Sequence, residues 1–426
     1  GPPAAAGPGP GRRPPMPEEA AMGHAVPVDG GPSADALLAA ALVEAKELRK
    51  ASAPAAAALA AAAPAAAEPP AEGRVDAASS DSSRPRVPAL VAEGRFHIGR
   101  KLGSGSYSDV HAGRDTEAGD EVAVKFEWSK AEKTGKLLAE AELCRSLAAR
   151  PIRSAIPRVR WSGTQGDFNI MVMDVLGPSL EDLLETCGGT FSLRTVLMLG
   201  IQMVDLLEYV HACGVIHRDI KPNNFLIGAG SQRDQVFVVD FGLAKRYRDP
   251  HTGAHLPFND KKKGLTGTVR YTARNIHRGM EPARRDDLGA VGYVLMYFLL
   301  GRLPWQGINA KSKKTKQRRI GRRKMKVSHN ELCQGFPDEF VRYLDYCDAL
   351  AYEADPDYNF LRRLFRDALE RDSQAAQAAP FDWMLPPELR PAKRRRGSRG
   401  DLAPGGAAAG SQPAAAAAAP AVAPEE

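Results

Sequence analysis

The sequence predicts an α+β fold, in which a small β-rich lobe with one main helix precedes a larger, mainly helical lobe. Three observations support this prediction. Residues 96–110 and 121–127 are typical of strands around a glycine-bearing turn, and residues 191–213 repeat apolar side chains at helical spacing. Both ends of the chain are dominated by Ala, Pro and Gly, so we expect two disordered tails around one folded centre.

The length is consistent with one large two-lobed domain or with two to three ordinary domains. Of the 426 residues, 43% are hydrophobic, which is enough for a substantial core. The longest uncharged apolar run outside the tails, residues 288–301, is shorter than the roughly 18 residues that a membrane span requires, so it predicts a buried helix and no membrane span. Five cysteines lack the close paired spacing of zinc sites and are expected to be free thiols in a reducing compartment: Cys144, Cys187, Cys213, Cys333 and Cys347.

Basic residues are unevenly distributed. The formal net charge is +7, and two dense clusters occur at Lys311–Lys326 and Lys393–Arg399. Such clusters are compatible with nucleic acid, an anionic substrate or nuclear import. The first residues lack the basic start and apolar core of a secretory signal. Four acidic residues argue against an organelle transit peptide: Glu18, Glu19, Glu44 and Glu47. With the import-like patch at 393–399, we expect the protein in the cytoplasm and the nucleus.

The strongest chemical signal is the segment Ile216–Leu226, followed by Val-Val-Asp-Phe-Gly at 238–242. Together these motifs resemble the catalytic loop and metal-binding turn of a protein kinase. The resemblance implies that Asp219 receives the hydroxyl proton of the substrate, while Asn224 and Asp240 hold magnesium ions. Each residue alone could be a turn former or a solvated side chain, but the order and spacing of the two motifs favour a shared site.

A second group of motifs predicts a nucleotide pocket. The turn that carries Gly103 and Gly105 can place backbone amides over phosphates, because glycine lets the main chain approach closely. Lys125 lies in a Val-Ala-Val-Lys strand, the context of a lysine that contacts the α- and β-phosphates. Glu140 and Glu142 compete for the ion pair with Lys125, and Glu140 is the better match to the family named below.

The buried strand and polar break at 168–177 predict the hinge between the two lobes. Backbone groups of Asp174–Leu176 are expected to face the adenine edge, and Met173 is expected to limit the depth of the pocket. The residues predicted to bind ATP are Leu102, Gly103, Ser104, Gly105, Val110, Ala123, Lys125, Glu140, Met173, Asp174, Leu176 and Asp182.

Four further motifs narrow the resemblance. They are Leu-Gly-Pro-Ser-Leu-Glu-Asp-Leu at 176–183, Leu-Thr-Gly-Thr-Val-Arg-Tyr at 265–271, Arg-Arg-Asp-Asp-Leu at 284–288 and Leu-Pro-Trp-Gln-Gly at 303–307. These motifs resemble the casein kinase 1 family of serine/threonine protein kinases, over a match from about Phe96 to Leu385. The resemblance implies a two-lobed protein kinase fold at 93–385, with an N-lobe at about 93–174 and a C-lobe at about 177–385. Tails at 1–92 and 386–426 flank it, the second with the basic patch.

The same resemblance implies the reaction and the catalytic set. The expected enzyme uses Mg²⁺ and transfers the γ-phosphate of ATP to serine or threonine, because Lys221 follows the base by two residues as in serine/threonine kinases. Thr268 is expected to bridge Asp219 and Lys221. The predicted catalytic residues are Asp219, Lys221, Asn224, Asp240 and Thr268.

Substrate choice is expected to depend on anions. The family reads an acidic or phosphorylated residue upstream of the target hydroxyl, and the matching residues are Arg270, the Gly307 backbone and Lys316. Charge reasoning agrees, because Lys311–Lys326 holds ten Lys or Arg in sixteen positions. A nuclear import signal or a solvated face is the alternative reading of this segment. The implied protein is a monomer that acts on protein substrates, is active without activation-loop phosphorylation, and is not expected to bind nucleic acid.

Several positions depart from the family pattern. Ser108 replaces the third glycine of the phosphate loop, and Asn223 stands where the family usually has Asp. Gly289 and Ala290 replace Glu-Ser, which removes a hydroxyl that could brace the catalytic loop, so we expect a modest loss of rigidity.

Two other functions remain as hypotheses. A pseudokinase scaffold would keep the fold without transferring phosphate, but Lys125, Asp219, Asn224 and Asp240 are all present. A nucleic-acid-binding protein could use the basic clusters with a steep salt dependence, although the chain has no recognised binding module.

Overall fold

The computed structural model describes residues 86–105, 108–129, 135–149, 155–259, 264–372 and 380–390, together with Gly1. Most of the two predicted tails lies outside these residues, as does the basic patch at 393–399. The described chain forms a β-rich N-lobe followed by a helical C-lobe, as the α+β prediction required. The sheet begins at Leu90, slightly before the predicted start of the domain at residue 93.

The N-lobe is built on a six-stranded antiparallel sheet with the strand order β1-β2-β3-β4-β6-β5. In β4, Val122, Val124 and Phe126 are buried, while Ala123 and Lys125 occupy the alternate positions. Because successive side chains of a strand point to opposite faces, this alternation places Ala123 and Lys125 together on the other face of the sheet. The strands are Leu90–Val91 (β1), Phe96–Ser104 (β2), Ser108–Asp115 (β3), Glu121–Trp128 (β4), Val159–Gln165 (β5) and Phe168–Asp174 (β6).

One helix of the described N-lobe, α1 at Lys136–Ala148, packs against β5 and β6. Its buried residues include Leu137, Ala141, Cys144 and Leu147, which face the core. Glu140 is also buried. The helix therefore presents a carboxylate towards the sheet, which needs a cationic partner.

The C-lobe is assembled around two long helices, Leu193–Ala212 (α3) and Arg284–Leu300 (α5), which pack on each other. In addition, α3 packs on Tyr358–Asp372 (α9), and α5 packs on Glu339–Ala349 (α8). The predicted helix at 191–213 is α3, and Ser192 caps it by accepting a hydrogen bond from Thr195 N–H. The apolar run at 288–301 forms most of α5, which is buried along nearly its whole length. The helices are Leu180–Thr186 (α2), Leu193–Ala212 (α3), Arg274–His277 (α4), Arg284–Leu300 (α5), Lys313–Lys326 (α6), His329–Leu332 (α7), Glu339–Ala349 (α8) and Tyr358–Asp372 (α9).

Two short ribbons border the site in the C-lobe. Val215–Ile216 (β7) pairs with Lys245–Arg246 (β10), and Phe225–Ile227 (β8) pairs with Val236–Val238 (β9). These ribbons hold the predicted catalytic loop and metal-binding turn side by side. All five cysteines are free thiols, as predicted. Among the described helices, none is both long and apolar enough to cross a membrane.

Candidate active site

The predicted catalytic loop is anchored from below by Asp287, a fully buried carboxylate on α5. Its two oxygens accept hydrogen bonds from the backbone N–H groups of His217 at 2.7 Å and Arg218 at 2.9 Å. Arg218 has a left-handed backbone with φ of 68°, a conformation that surrounding contacts must stabilise in a side chain with a Cβ. Asp287 therefore fixes the turn that precedes Asp219. The sequence shows Asp287 only as part of a family motif and does not indicate this contact.

Asp219 is held at both carboxylate oxygens. Thr268 donates to Oδ1 from its backbone N–H at 2.8 Å and from its hydroxyl at 2.7 Å, and Lys221 Nζ donates to Oδ2 at 2.6 Å. Thr268 was expected to bridge Asp219 and Lys221, but Asp219 itself lies between the other two. Gly267 makes the approach possible, because with φ of 85° a Cβ there would lie 2.4 Å from the Arg218 carbonyl oxygen.

An ion-pair network joins the two lobes at Lys125. Its Nζ lies 3.0 Å and 2.9 Å from the two oxygens of Glu140 and 3.1 Å from Asp240 Oδ1. Glu142 is exposed and instead lies 3.4 Å from Arg145, so Glu140 is the partner of the two candidates. Burial would lower the pKa of Lys125, but the two carboxylates raise it above its ordinary value, so the ammonium stays charged.

Asp240 reaches both lysines from a strained turn. Its φ is 66°, and its side chain is 41% exposed, so one side of the carboxylate remains open. Burial would raise the pKa of Asp240, but the charges of Lys125 and Lys221 lower it below its ordinary value. Asp240 is therefore a carboxylate at neutral pH, the form that binds a cation.

The residues at this turn fit a magnesium ion. Asn224 is buried and donates from Nδ2 to the Asp219 carbonyl oxygen at 3.0 Å, which directs its amide oxygen elsewhere. The described residues contain no group of three or more His, Cys, Asp or Glu that could hold a metal by themselves. Mg²⁺ in nucleotide sites usually takes one or two carboxylates and completes its shell with phosphate oxygens and water. Asp240 supplies such a carboxylate, and the amide oxygen of Asn224 is a second oxygen donor beside it.

The predicted nucleotide residues lie on adjoining strands. The register pairs Val110 with both Gly103 and Lys125, and Ala123 with Met173. Leu102, Ser104 and Gly105 continue the end of β2, where Leu102 is 43% exposed. Asp174 ends β6 and is paired with Arg160 at 2.7 Å, and the partly buried Leu176 follows it. Because cross-strand partners share a face, Gly103, Val110, Lys125, Ala123 and Met173 lie on one face of the sheet, whereas Asp174 is paired with Val122 of the opposite face.

Asp182, which is predicted to bind ATP, also caps the start of helix α2. Its Oδ2 accepts hydrogen bonds from Ser179 N–H at 3.0 Å and Ser179 Oγ at 2.6 Å, which caps the start of α2. The side chain is exposed, so the other carboxylate oxygen is open to solvent.

Ser108 causes no backbone strain in the described part of the phosphate loop. Positive φ occurs at none of Gly103, Gly105 and Ser108. A Cβ at Gly103 would meet no atom within 4 Å. The described residues therefore leave open space above Gly103. Ser108 lies in extended backbone, which a serine adopts without strain. Residues 106 and 107, at the tip, lie outside the described range.

The predicted anion residues are only partly brought together. Trp305 Nε1 donates to the Arg270 carbonyl at 2.7 Å, which ties the turn that ends at Gly307 to Arg270. A Cβ at Gly307 would lie 3.8 Å from Arg302 Nη2, so this exposed arginine borders the same turn. Lys316 is exposed in the first turns of α6. The sequence analysis did not include Arg302 among the anion residues. Its position directly before Leu-Pro-Trp-Gln-Gly could have indicated it.

Lys324 is a second residue that sequence reasoning missed. It is fully buried, and its Nζ donates to the backbone carbonyls of Val269 at 3.2 Å, Arg270 at 3.3 Å and Thr272. Its Nζ also lies 4.8 Å from the Tyr293 ring centre and 5.0 Å from that of Trp305, and burial lowers the pKa of this amine well below its ordinary value. Lys324 lies four residues after the buried Ile320, and residues i and i+4 share a helix face. This spacing could have predicted that Lys324 is buried. Lys324 therefore fixes the loop that follows Thr268.

A small cavity of about 20 Å³ lies behind the catalytic loop. Asp219, Thr268, Thr272, Asp286 and Ala290 are among its lining residues. Ala290 lacks the hydroxyl that a serine at this position would bring to the cavity. Asp286 Oδ2 accepts from Ala283 N–H at 2.8 Å, whereas Oδ1 has no hydrogen-bond partner in the described part of the chain. Burial raises the pKa of Asp286 to about 7, although the Ala283 amide and Arg285 act in the opposite direction.

Comparison with known families agrees with this geometry. A family model described as the protein kinase domain matches residues 96–375, which is more than half of the chain. The match contains strands β2 to β6 of the β-rich lobe, the Lys125–Glu140 pair, the loop around Asp219 and the turn around Asp240. Protein kinase domains use ATP, typically with Mg²⁺, and act on protein substrates. The chain therefore belongs to the protein kinase family.

Proposed function

We propose that this protein kinase is a serine/threonine kinase of the casein kinase 1 type, which phosphorylates acidic or pre-phosphorylated proteins. The observation that carries the proposal is the arrangement at Asp219, whose carboxylate is oriented by Thr268 and Lys221. The lysine two residues after the base is the serine/threonine-type choice. The motifs at 176–183, 265–271, 284–288 and 303–307 support the casein kinase 1 assignment.

The chain's residues then have distinct tasks in transfer. The oxygen of the substrate hydroxyl forms a bond to the γ-phosphorus of ATP, and Asp219 accepts the proton that this hydroxyl loses. The bond between the γ-phosphorus and the oxygen that bridges it to the β-phosphate breaks, and ADP leaves. Lys221 and Thr268 keep the carboxylate aligned, and Lys125 holds the phosphates. Mg²⁺ held by Asn224 and Asp240 would supply neutralisation of phosphate charge.

Arg270, the Gly307 backbone and Lys316 are proposed to receive an anion upstream of the target hydroxyl. Arg302 beside Gly307 adds a positive charge at the same turn. Arginine recognises phosphate and carboxylate with two parallel hydrogen bonds, which suits such a pocket. The proposed enzyme would thus prefer substrates that are already acidic or phosphorylated.

Activity without activation-loop phosphorylation also belongs to this proposal. It is supported by the Lys125–Glu140 pair, which protein kinases must form to be active. We therefore expect protein treated with phosphatase to retain its activity. Loss of activity after that treatment would contradict this part of the proposal.

The remaining expectations are proposed with the same function. They are a kinase domain at 93–385 between tails at 1–92 and 386–426, a monomeric protein, and a location in both cytoplasm and nucleus. The tail patch at 393–399 and the net charge of +7 support the nuclear part.

Matched peptides test the substrate class. The full chain would be given peptides that differ only in the acceptor, Ser, Thr or Tyr, and in a phosphoserine or an alanine upstream. We expect transfer to Ser and Thr, and a kcat/KM roughly tenfold higher with the phosphoserine. Transfer to Tyr, or equal rates with alanine upstream, would contradict the proposal.

A further inference from the structure

A basic groove lies between α4 and α6, outside the predicted catalytic, nucleotide and anion residues. It has a volume of about 410 Å³. His277 and Arg278 line one side, and Arg318, Arg322, Met325 and Lys326 of α6 line the other. We call these six residues the α6 groove.

The floor of the α6 groove is set by a close approach of the two helices. A Cβ at Gly321 would lie 2.8 Å from His277 Nδ1, so only glycine allows α6 to lie this near. Arg318 and Arg322 are four residues apart and share a helix face with Lys326, the next position at that spacing. Arg278 Nη1 donates to Asn275 Oδ1 at 2.7 Å, which holds its guanidinium in place.

The part of the chain that the structure describes places no carboxylate where it would neutralise the positive charge of this face. The sequence of α6, Lys313–Lys326, contains no Asp or Glu. Arg318, Arg322 and Lys326 are exposed, and within the described ranges no carboxylate lies at salt-bridge distance from them. Like charges four residues apart on a helix repel each other. An anion in the groove would therefore relieve this repulsion as well as gain attraction.

The opposite side of α6 is fixed to the substrate-binding part of the lobe. Lys324 reaches the carbonyls of Val269, Arg270 and Thr272, immediately after Thr268. The helix that carries the groove is thus attached to the loop that aligns Asp219. A chain bound in the groove would be held on an element rigidly connected to that loop.

We propose that the α6 groove binds an acidic or phosphorylated segment of a protein, at a distance along the substrate from the target hydroxyl. Arginine side chains match carboxylate and phosphate with paired hydrogen bonds. The thioether of Met325 and the ring of His277 add apolar contact that a peptide can use. A groove of this volume fits a few residues. Binding does not depend on the proposed function, whereas the role in substrate selection rests on it.

Binding is tested with the full chain carrying Asp219→Asn, so that no transfer occurs. The probe is a fluorescent peptide with several phosphoserine and glutamate residues, and anisotropy gives its Kd. Arg318→Glu with Arg322→Glu should weaken binding about tenfold, since it reverses two charges in the groove. Arg319→Glu with Arg323→Glu has the same spacing and charge change on the neighbouring stripe and should change Kd less than about twofold.

Three further measurements test whether the peptide binds in the α6 groove. Thermal unfolding of both variant pairs checks that they are folded. Equal Kd losses in the two pairs, or no loss in the groove pair, would overturn the assignment. Tighter binding of a single-stranded DNA oligonucleotide, with the same dependence on Arg318 and Arg322, would replace the peptide with nucleic acid and overturn it too.

The test separates this inference from the proposed function. If the native chain transfers no phosphate but the peptide binds through the groove, the inference stands without the function. If transfer to casein occurs and the groove pair binds the peptide as the unchanged protein does, the inference fails alone. In the active background, the groove pair should raise KM for casein about tenfold and leave KM for ATP unchanged.

Discussion

Asp219 shows how single residues are prepared for the reaction. A free carboxylate rotates between equivalent positions, but here Thr268 holds one oxygen with two hydrogen bonds and Lys221 holds the other. The backbone below is held by Asp287 through the N–H groups of His217 and Arg218. Orientation is therefore supplied before a substrate arrives, which is how positioning lowers a barrier.

Thr268→Ala tests this orientation. The change removes the hydroxyl that donates to Asp219 Oδ1 at 2.7 Å and leaves the backbone N–H contact. A hydrogen bond to a charged group stabilises by about 1.5–3 kcal/mol, so we expect kcat to fall roughly 10- to 100-fold, with little change in KM for ATP. Thr268→Ser keeps the hydroxyl and should restore most of kcat. Equal kcat values for the Ala and Ser variants would refute the role of this hydroxyl.

Asp286 gives a pH dependence to stability. Burial raises its pKa from an ordinary 3.8 to about 7, with Arg285, Asp287 and Asp348 as the charged groups that act on it. The folded state then holds the proton more tightly than the unfolded state. The contribution of protonated Asp286 to the free energy of unfolding is complete below about pH 4 and is lost as the pH rises through about 7.

Asp286→Asn should remove this dependence. Between pH 5 and 8 the free energy of unfolding of the unchanged protein should fall by roughly 2–3 kcal/mol more than that of the variant. Denaturant titrations at several pH values measure the difference. The exposed Asp338→Asn serves as a control and should keep the slope of the unchanged protein. Parallel curves for Asp286→Asn and the unchanged protein would show that Asp286 does not titrate in this range.

At the scale of elements, the sequence predicted the strands and helices that carry strong periodicity. The apolar stripe of α3 and the alternation of β4 each repeat over several turns or positions, so their type and place agree with the structure. The structure pairs Lys125 with Glu140, which is the one of the two glutamates that fits the family pattern. Local pattern and motif spacing were sufficient for these features.

Contacts between elements could not be read from local pattern. Lys324 stands in a run of basic residues that looks solvated, and only the packing of α6 on Tyr293 and Trp305 shows that it is buried. The anchoring of the catalytic loop by Asp287 likewise depends on where α5 passes below it. Sequence separation hides both contacts, since neither spacing nor composition records which helix faces meet.

Lys324→Met tests the link between α6 and the substrate loop. The variant keeps the apolar stem but leaves three buried carbonyls without their donor, so we expect a loss of about 1–3 kcal/mol in the free energy of unfolding. KM for a protein substrate should rise while KM for ATP stays the same. Arg323→Met changes an exposed neighbour and should alter neither quantity. Unchanged stability and KM in Lys324→Met would show that the contact is dispensable.

At the scale of the whole molecule, the site exists only where the two lobes meet. Lys125 and Glu140 come from the N-lobe, while Asp240 approaches from the C-lobe, 115 residues after Lys125. The order of motifs predicted which residues converge, and the match to the protein kinase domain over 96–375 supports the same grouping. The distances among these residues follow from the packing of α1 on the sheet and of the C-lobe helices on one another. That information is spread over the whole domain.

Asp219 is proposed to serve as the base in phosphate transfer from ATP to serine or threonine. The most direct test is transfer of labelled γ-phosphate from ATP to casein by the full chain, with and without Mg²⁺, compared with Asp219→Asn. We expect magnesium-dependent phosphorylation of Ser and Thr, and a fall of about 10²- to 10⁴-fold in kcat for the variant at an unchanged KM for ATP. Absence of transfer by the unchanged chain, or equal transfer by Asp219→Asn, would contradict it.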